Sequence, residues 1–254
     1  MPYKFGKLPA RPGSVRLRMS DYIKPRVLPT PPTNFGHEGK IDDWEMLAND
    51  KIGDCVIAGG AHETMLWSAM GKGKSAQFSD FSVTWDYGAI TGYRWWNPMS
   101  DRGTDIQEAA KYRQRTGLRD KFGIRHKIGA YVMIEKGNVT QHALATYLFG
   151  AIGIGIMCPD TMMDQFDRQQ PWTVVPGTKT SGGHYVPIVA RRDGYFLCVT
   201  WGRLQKISME YLEAYEDEAI AYVSPEMLTG ALKVDGFNYR QLLSDLEQVQ
   251  RREN

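Results

Sequence analysis

Between Cys55 and Met70, the apolar residues Ile57, Ala61, Met65 and Ala69 recur every four positions, which lays one apolar face along a helix. The segment "GKGKSAQ" (71–77) ends it. A second helix is predicted over "DIQEAAKYRQRTG" (105–117), with Thr104 as its N-cap and Gly117 as its stop. "GAYVMIE" (129–135) has the pattern of a strand and "VTQHALATYLFG" (139–150) that of a third helix. "AIGIGIMCP" (151–159) alternates apolar residues with glycine and predicts a buried strand. "HYVPIVARRDGYFLCVTW" (184–201) reads as a hairpin turning at Arg192, Asp193 and Gly194. A short helix over 208–218 and a strand over 219–224 follow, and Leu242, Leu243, Leu246 and Val249 predict a C-terminal amphipathic helix. Helices come mainly first and strands mainly last, which indicates an α+β fold rather than alternating βαβ units.

The first 40 residues follow a different rule. Seven of the thirteen prolines lie in residues 1–32, and "KPRVLPTPP" (24–32) is too rich in proline for a helix or a central strand. A floppy tail would be poor in apolar residues, yet Leu8, Val15, Leu17, Tyr22, Ile23, Val27 and Leu28 are all present. Residues 1–40 are therefore expected to form an extended arm laid over the body, and residues 41–254 the domain itself.

Composition narrows the partners. Hydrophobic and charged contents of 42% and 24% are ordinary for a globular protein, and a net charge of +2 is too slight to point to nucleic acid or an anionic membrane. The basic start has no apolar core of a signal peptide, so secretion by that route is not expected. The 16-residue uncharged run Ala143–Cys158 contains Gly150, Gly153 and Gly155 and falls short of a membrane span. Three cysteines, Cys55, Cys158 and Cys198, cannot all pair with one another, and no CxxC occurs. Free thiols in a reducing compartment, with no metal and no cofactor, are the expectation. Three short motifs fail on inspection. "GKGKS" (71–75) lacks the first glycine of a phosphate loop, "HETML" (62–66) lacks the second histidine of a zinc helix, and "GAIGIG" (150–155) has the wrong glycine order for a dinucleotide loop.

Cys55 is the candidate for chemistry. It follows "NDKIGD" at the start of the first helix, where free N–H groups and the helix dipole favour a thiolate. A nucleophilic thiol also needs a base. His37 lies in the arm, His126 in a basic segment and His142 early in a helix; His62 is seven residues beyond Cys55, two helical turns away. His184 opens a strand behind Gly182 and Gly183, which permit close approach of another segment. It is the expected partner, and Cys55 the expected reactive thiol, with Cys158 and Cys198 protected inside apolar strands.

"NDKIGDC", "GGHYVPIVA" and "VTWG", in that order over roughly residues 40–225, resemble the layout of papain-like cysteine peptidases. With "LPAR" and "DEAIAYVSPE", the chain more closely resembles papain-like proteins of tailed bacteriophages and bacterial genomes. The resemblance implies an α+β fold with a helical lobe and a barrel-like antiparallel lobe on either side of a cleft. By position it makes Cys55 the nucleophile, His184 its proton acceptor, Asn49 the oxyanion-hole amide and Trp201 the shield over the histidine. Gly53, Asp54 and Gly183 would line the substrate cleft. Two departures stand out. Val199 occupies the position of the asparagine that orients the histidine, with Thr200 one residue off and on the opposite face of a strand; a bulge, or a backbone carbonyl, would restore the contact. Asn49 is one methylene shorter than the family's glutamine.

The implied activity is a thiol hydrolase cleaving a peptide or isopeptide amide through a Cys55 acyl-enzyme. The alternative is a weak or inactive papain-like structural or binding protein of a bacteriophage particle. A peptide or protein substrate, phage structural partners and a cytoplasmic or virion-associated location are the corresponding expectations.

Overall fold

The structure, a computed structural model, describes residues 3–11, 17–24, 28–228, 240–241 and 243–245. A short strand, β1 (Phe35–Gly36), precedes the first helix, α1 (Cys55–Lys72). The helix stops where Gly73 takes a left-handed φ of 68° and donates its N–H to Ala69 O. Its every-fourth-residue spacing predicts one buried face, but every residue from Cys55 to Ala69 is buried. Small residues explain the difference. A Cβ at Gly59 would come within 2.5 Å of the Tyr185 ring, and one at Gly60 within 3.2 Å of the Arg113 guanidinium carbon. Neighbours therefore close on α1 from both sides, and the helix becomes the centre of the molecule.

The next helix, α2 (Asp80–Thr91), was not legible in the sequence. It is set by a reciprocal pair of caps between Ser79 and Ser82, while Phe81 and Trp85 point outward and blur its apolar stripe. The helix α3 (Ile106–Arg115) is capped by Asp105, whose carboxylate accepts from the N–H groups of Gln107 and Glu108; Thr104, the expected cap, pairs elsewhere. A small hairpin, β2 (Leu118–Arg119) and β3 (Arg125–His126), leads to the second half of the chain.

That half is a single antiparallel sheet. Its strands are β4 (Ala130–Ile134), β5 (Ile152–Pro159), β6 (Thr180–Arg192), β7 (Tyr195–Thr200), β8 (Arg203–Ile207) and β9 (Glu216–Val223). They lie in the order β4-β9-β5-β6-β7-β8, with β1 also on β6, and the sheet does not close into a barrel. Helices α4 (Val139–Phe149), α5 (Met162–Asp167) and α6 (Met209–Tyr215) connect the strands, and α7 (Pro225–Leu228) follows them. Helix α6 ends at Tyr215, so Glu216, Asp217 and Glu218, expected to be helical, open β9 instead. Two tight hairpin turns carry positive φ at both central residues, Asp193-Gly194 and Trp201-Gly202. Leu243 packs on the core as the C-terminal pattern predicts, whereas Leu242, Leu246 and Val249 lie outside the described residues. Among the described residues, no helix is long and apolar enough to cross a membrane.

A buried polar link ties the two halves together. Glu63 of α1 pairs with Arg113 of α3 at 2.6 Å and accepts a 2.5 Å hydrogen bond from Tyr185 OH of β6. Tyr185 follows His184 directly, so this link fixes β6 against α1 beside the candidate catalytic residues.

Candidate active site

Cys55 is the first residue of α1, behind a loop strapped at two points. Asn49 Nδ2 donates to Asp54 Oδ1 at 3.1 Å. Gly53 N–H lies 3.1 Å from each oxygen of Asp101, which also accepts from Tyr87 OH at 2.6 Å. The helix is entered through the Asp54 backbone: its carbonyl accepts from Ile57 and Ala58, while its side chain makes no capping bond. Burial pushes the Asp54 carboxyl well above its ordinary pKa, against the opposing effect of the Asn49 hydrogen bond. Asn49 thus sits beside the cysteine, with its amide engaged by Asp54.

His184 lies within β6, between β5 and β7. Its Nε2 is 2.8 Å from Thr200 Oγ1, and its ring stacks on Trp201 with centroids 4.5 Å apart and planes at 14°. Thr200 reaches the ring because β6 carries an extra residue. Ile188 pairs with Cys198, whereas Ala190 pairs with Leu197, a bulge that shifts the register by one. Such a shift exchanges the faces of a strand. Without it, Val199 would share the face of His184; with it, Thr200 does. Val199 is instead buried in the core.

The arm completes the site. Lys7 N–H donates to Gly183 O at 2.9 Å, Gly6 O accepts from Thr104 N–H at 2.7 Å, and Leu8 N–H donates to Thr104 O at 3.0 Å. Backbone N–H groups of Gly6 and Tyr185 approach the Cys55 sulfur. The Phe5 ring lies 5.9 Å from that of His184, and Tyr3 stacks on Trp201 at 4.6 Å. Successive residues 5, 6 and 7 therefore meet His184, Cys55 and Gly183. A run of three residues spans at most about 10 Å, so the cysteine and the histidine face the same short stretch of chain. Only glycine fits at position 6, where a Cβ would stand 1.8 Å from Gly53 O.

This enclosure governs the chemistry. Burial pushes the Cys55 thiol up to about 12, although the N–H groups of Tyr185 and Gly6 favour the thiolate. Burial alone pulls His184 down to about 3. Both groups are neutral at pH 7, and His184 Nδ1 is buried without a hydrogen-bond partner. The sequence singles out Cys55 as the reactive thiol, yet all three cysteines are free and buried. The reason is the arm, which covers Cys55 where its position in the chain suggests an open cleft. The remaining buried histidines are engaged elsewhere, His62 with Glu45 O, His126 with Glu226 and Asp120, and His142 with Glu216.

Of the residues expected at the site, Cys55, Gly53, Asp54, Gly183, His184, Thr200 and Trp201 gather around residues 3–8 of the arm, with Asn49 just behind. Sequence reasoning missed Asp101, which holds the loop, and Thr104, which pairs with the arm's backbone. Neither belongs to a recognisable motif.

No family model matches the sequence, and no curated protein matches it. Solved structures do. Xylellain, a cysteine protease from Xylella fastidiosa, superposes with a TM-score of 0.62 at 13% identity, over 87% of this chain and 96% of that one. A proCathepsin B from Trypanosoma congolense gives 0.61 at 12% identity, over 87% and 86%. The bromelain protease from Ananas comosus gives 0.55 at 11% identity, over 76% and 99%. The chain therefore has the papain-like fold, with a helical lobe, an antiparallel lobe and a cleft between them, as its motifs predict.

Proposed function

We propose that this protein is a thiol hydrolase that cleaves a peptide or isopeptide amide and is held latent by its own N-terminal arm. The observation that carries this reading is the state of His184: Nε2 is held by Thr200, while Nδ1 is buried and unpartnered, and residues 5 and 6 of the arm meet His184 and Cys55 in turn. An Nε2–H that donates to Thr200 Oγ1 leaves the Nδ1 lone pair as the base.

With the arm displaced, the Cys55 proton passes to Nδ1 and the sulfur attacks the substrate carbonyl carbon. The resulting oxyanion lies near the Cys55 N–H and the second N–H of the Asn49 amide. As the C–N bond breaks, the imidazolium returns its proton to the leaving amine. Water, losing a proton to Nδ1, then hydrolyses the thioester and frees the Cys55 thiol. The parallel ring of Trp201 keeps water from one face of the imidazole throughout.

The test is hydrolysis of a fluorogenic peptide library by the full chain, with intact-mass detection of an acyl adduct on Cys55. Cys55→Ala and His184→Ala should each abolish turnover. If the arm is displaced and neither an adduct nor cleavage forms, the fold serves a binding or structural role, the reading that fits a component of a phage particle.

A further inference from the structure

Exposed apolar surface is concentrated on one face of the helical lobe. Among the described residues, twelve large hydrophobic side chains are exposed, and the seven most exposed all lie between residues 81 and 124. Each of the seven keeps more than half of its surface in water, whereas none of the other five exceeds 41%. Single exposed hydrophobics are ordinary, but a cluster of this size marks an interaction surface. The seven sit on three adjoining pieces of chain. Phe81 and Trp85 stand one turn apart on α2, with ring centroids separated by 6.0 Å. Trp95, Trp96 and Met99 follow in the loop after that helix, and the two tryptophans share with Phe81 and Trp85 a cleft of about 800 Å³. Phe122 and Ile124 form the tip of the β2–β3 hairpin. Arg119 joins that tip to the rest: its guanidinium carbon lies 5.7 Å from the centre of the Trp85 ring, and its Nη2 lies 3.6 Å from where a Cβ of Gly123 would stand.

Both tips are held in shape by polar anchors. The buried Asp120 carboxylate accepts from the N–H groups of Phe122 and Ile124 at 2.9 and 2.8 Å, and Gly123 turns the chain with a φ of 88°. In the loop, Ser100 Oγ accepts from Arg94 N–H at 2.8 Å and donates to Asn97 O at 2.6 Å, while Asn97 Oδ1 accepts from Met99 N–H at 3.2 Å. Trp95 and Met99, 77% and 80% exposed, therefore project from a built turn. Cations surround these side chains. Arg94 lies over Trp96 at 5.6 Å and Lys121 over Phe122 at 5.2 Å, and Arg102 donates to Met99 O at 3.3 Å. Among the described residues, Arg94, Arg102, Arg119 and Lys121 have no carboxylate partner. Asp80, the one acid lining the cleft, is already paired with Lys51 at 3.1 Å. The net charge of +2 for the whole chain thus conceals a locally cationic face.

Cations and aromatic rings together also suit single-stranded nucleic acid, whose bases stack on flat rings. Met99, the most exposed of the seven, and Ile124 offer no ring, yet both stand at the tips. A fluid apolar layer takes rings and aliphatic chains alike, and tryptophan bordered by cations is the composition of a membrane–water interface. A second copy meeting this face with its own would set like charges against each other.

We propose that the face formed by α2, the loop over 93–102 and the tip of the β2–β3 hairpin docks this protein on the surface of an anionic lipid bilayer, with the two apolar tips entering the interface and the cations meeting the headgroups. The docking is peripheral and independent of the hydrolase reading.

The experiment is co-sedimentation of the full chain with vesicles of phosphatidylcholine, either alone or with roughly one-third phosphatidylserine. Binding to the anionic vesicles should be at least about tenfold tighter and should weaken as salt is raised. Each cation near such a surface is worth about fivefold, so Arg94→Gln, Arg119→Gln and Lys121→Gln together should weaken binding to anionic vesicles by about a hundredfold. Trp95→Ala with Trp96→Ala should weaken it by at least about tenfold without changing the charge. Val175→Ala with Leu204→Ala, exposed hydrophobics outside the face, should change it by less than about twofold. Melting temperatures show that each variant is folded. Absence of binding to anionic vesicles, equal binding to both vesicle types, or binding that survives the face substitutions would overturn the proposal. Tighter binding of a single-stranded oligothymidylate through the same residues, or a dimer in sedimentation velocity that Trp95→Ala with Trp96→Ala dissociates, would overturn it equally.

Discussion

Gly6→Val is the most direct way to separate arm closure from folding. The new side chain begins 1.8 Å from Gly53 O and 2.2 Å from its carbonyl carbon, both backbone atoms held by the Asp101 strap. They have no rotamer to change. Overpacking of this kind costs typically about 1–3 kcal/mol. The closed arm holds on through the backbone bonds of Gly6, Lys7 and Leu8, each contributing about 0.5–1.5 kcal/mol net, and through the Lys7 ion pairs. The clash is therefore comparable to what closure offers locally. A shift of about 1–3 kcal/mol multiplies the open population by roughly 5–150. In the closed state a thiol at about 12 is ionised to only about one part in 10⁵ at pH 7, so essentially all alkylation reports the open state.

The assay is iodoacetamide labelling at pH 7 with peptide mapping, using Cys158 and Cys198 as internal references. Cys55 should label about 5- to 150-fold faster in Gly6→Val, with both reference thiols unchanged. An unchanged Cys55 rate in a folded variant would refute the arm's role. A parallel rise at all three cysteines would mean global opening and would refute it equally.

Three further outcomes are expected. Thr200→Val removes the Nε2 partner of His184 and should lower kcat of the arm-released enzyme with KM little changed, while Thr200→Ser restores it; equal kcat in both variants counts against the orienting role. Glu63→Gln leaves Arg113 buried without its carboxylate and should cost about 3–5 kcal/mol in denaturant unfolding, and a loss below about 1 kcal/mol would rule out a structural pair. Arm closure should be pH-dependent. His184, lowered to about 3 from 6.5, contributes to closure above pH 6.5 and loses that contribution as pH falls towards 3; Cys55, raised to about 12 from 9.0, contributes below pH 9 and loses it as pH rises. Closure is then tightest between 6.5 and 9, weakening by up to about 1.4 kcal/mol per unit on the acid side. Susceptibility of the 3–11 segment to a protease active at both pH values should show this minimum, and a flat profile would contradict it.

The fold and most of the site were legible because they depend on local pattern. Glycine and an acid before Cys55, two glycines before His184 and Trp-Gly after Thr200 each mark a junction between elements. Legibility ended where distant segments met. Strand alternation by itself sets Thr200 against the histidine's needs, and only the extra residue near Val189, invisible without knowing what β6 pairs with, reverses the parity. Helix α2 was hidden because its exposed Phe81 and Trp85 break the stripe that would reveal it. Asp217 and Glu218 fall in the span that the sequence assigns to a short helix. They pair with the buried Lys7 instead, because β9 already begins at Glu216, between β4 and β5.

On the hydrolase reading, a chain segment laid against Cys55 invites its own cleavage unless something prevents it. Here the protection comes from the charge state that the strand imposes. Attack requires a thiolate, and a thiol at about 12 near an imidazole at about 3 does not ionise at neutral pH. These values follow from burial, and the arm lies against both groups, with Gly6 at the sulfur and Phe5 and Tyr3 around His184 and Trp201. A shorter peptide in the same groove would pair with Thr104 and Gly183 in the same way, but without the two aromatic rings it would leave the histidine open to water. Water at the imidazole raises its basicity towards the ordinary value, which on the hydrolase reading makes the proton transfer available. Backbone pairing and side-chain ion pairs therefore hold a segment in the groove, whereas on the hydrolase reading the aromatic cover decides whether Cys55 and His184 beneath it can ionise.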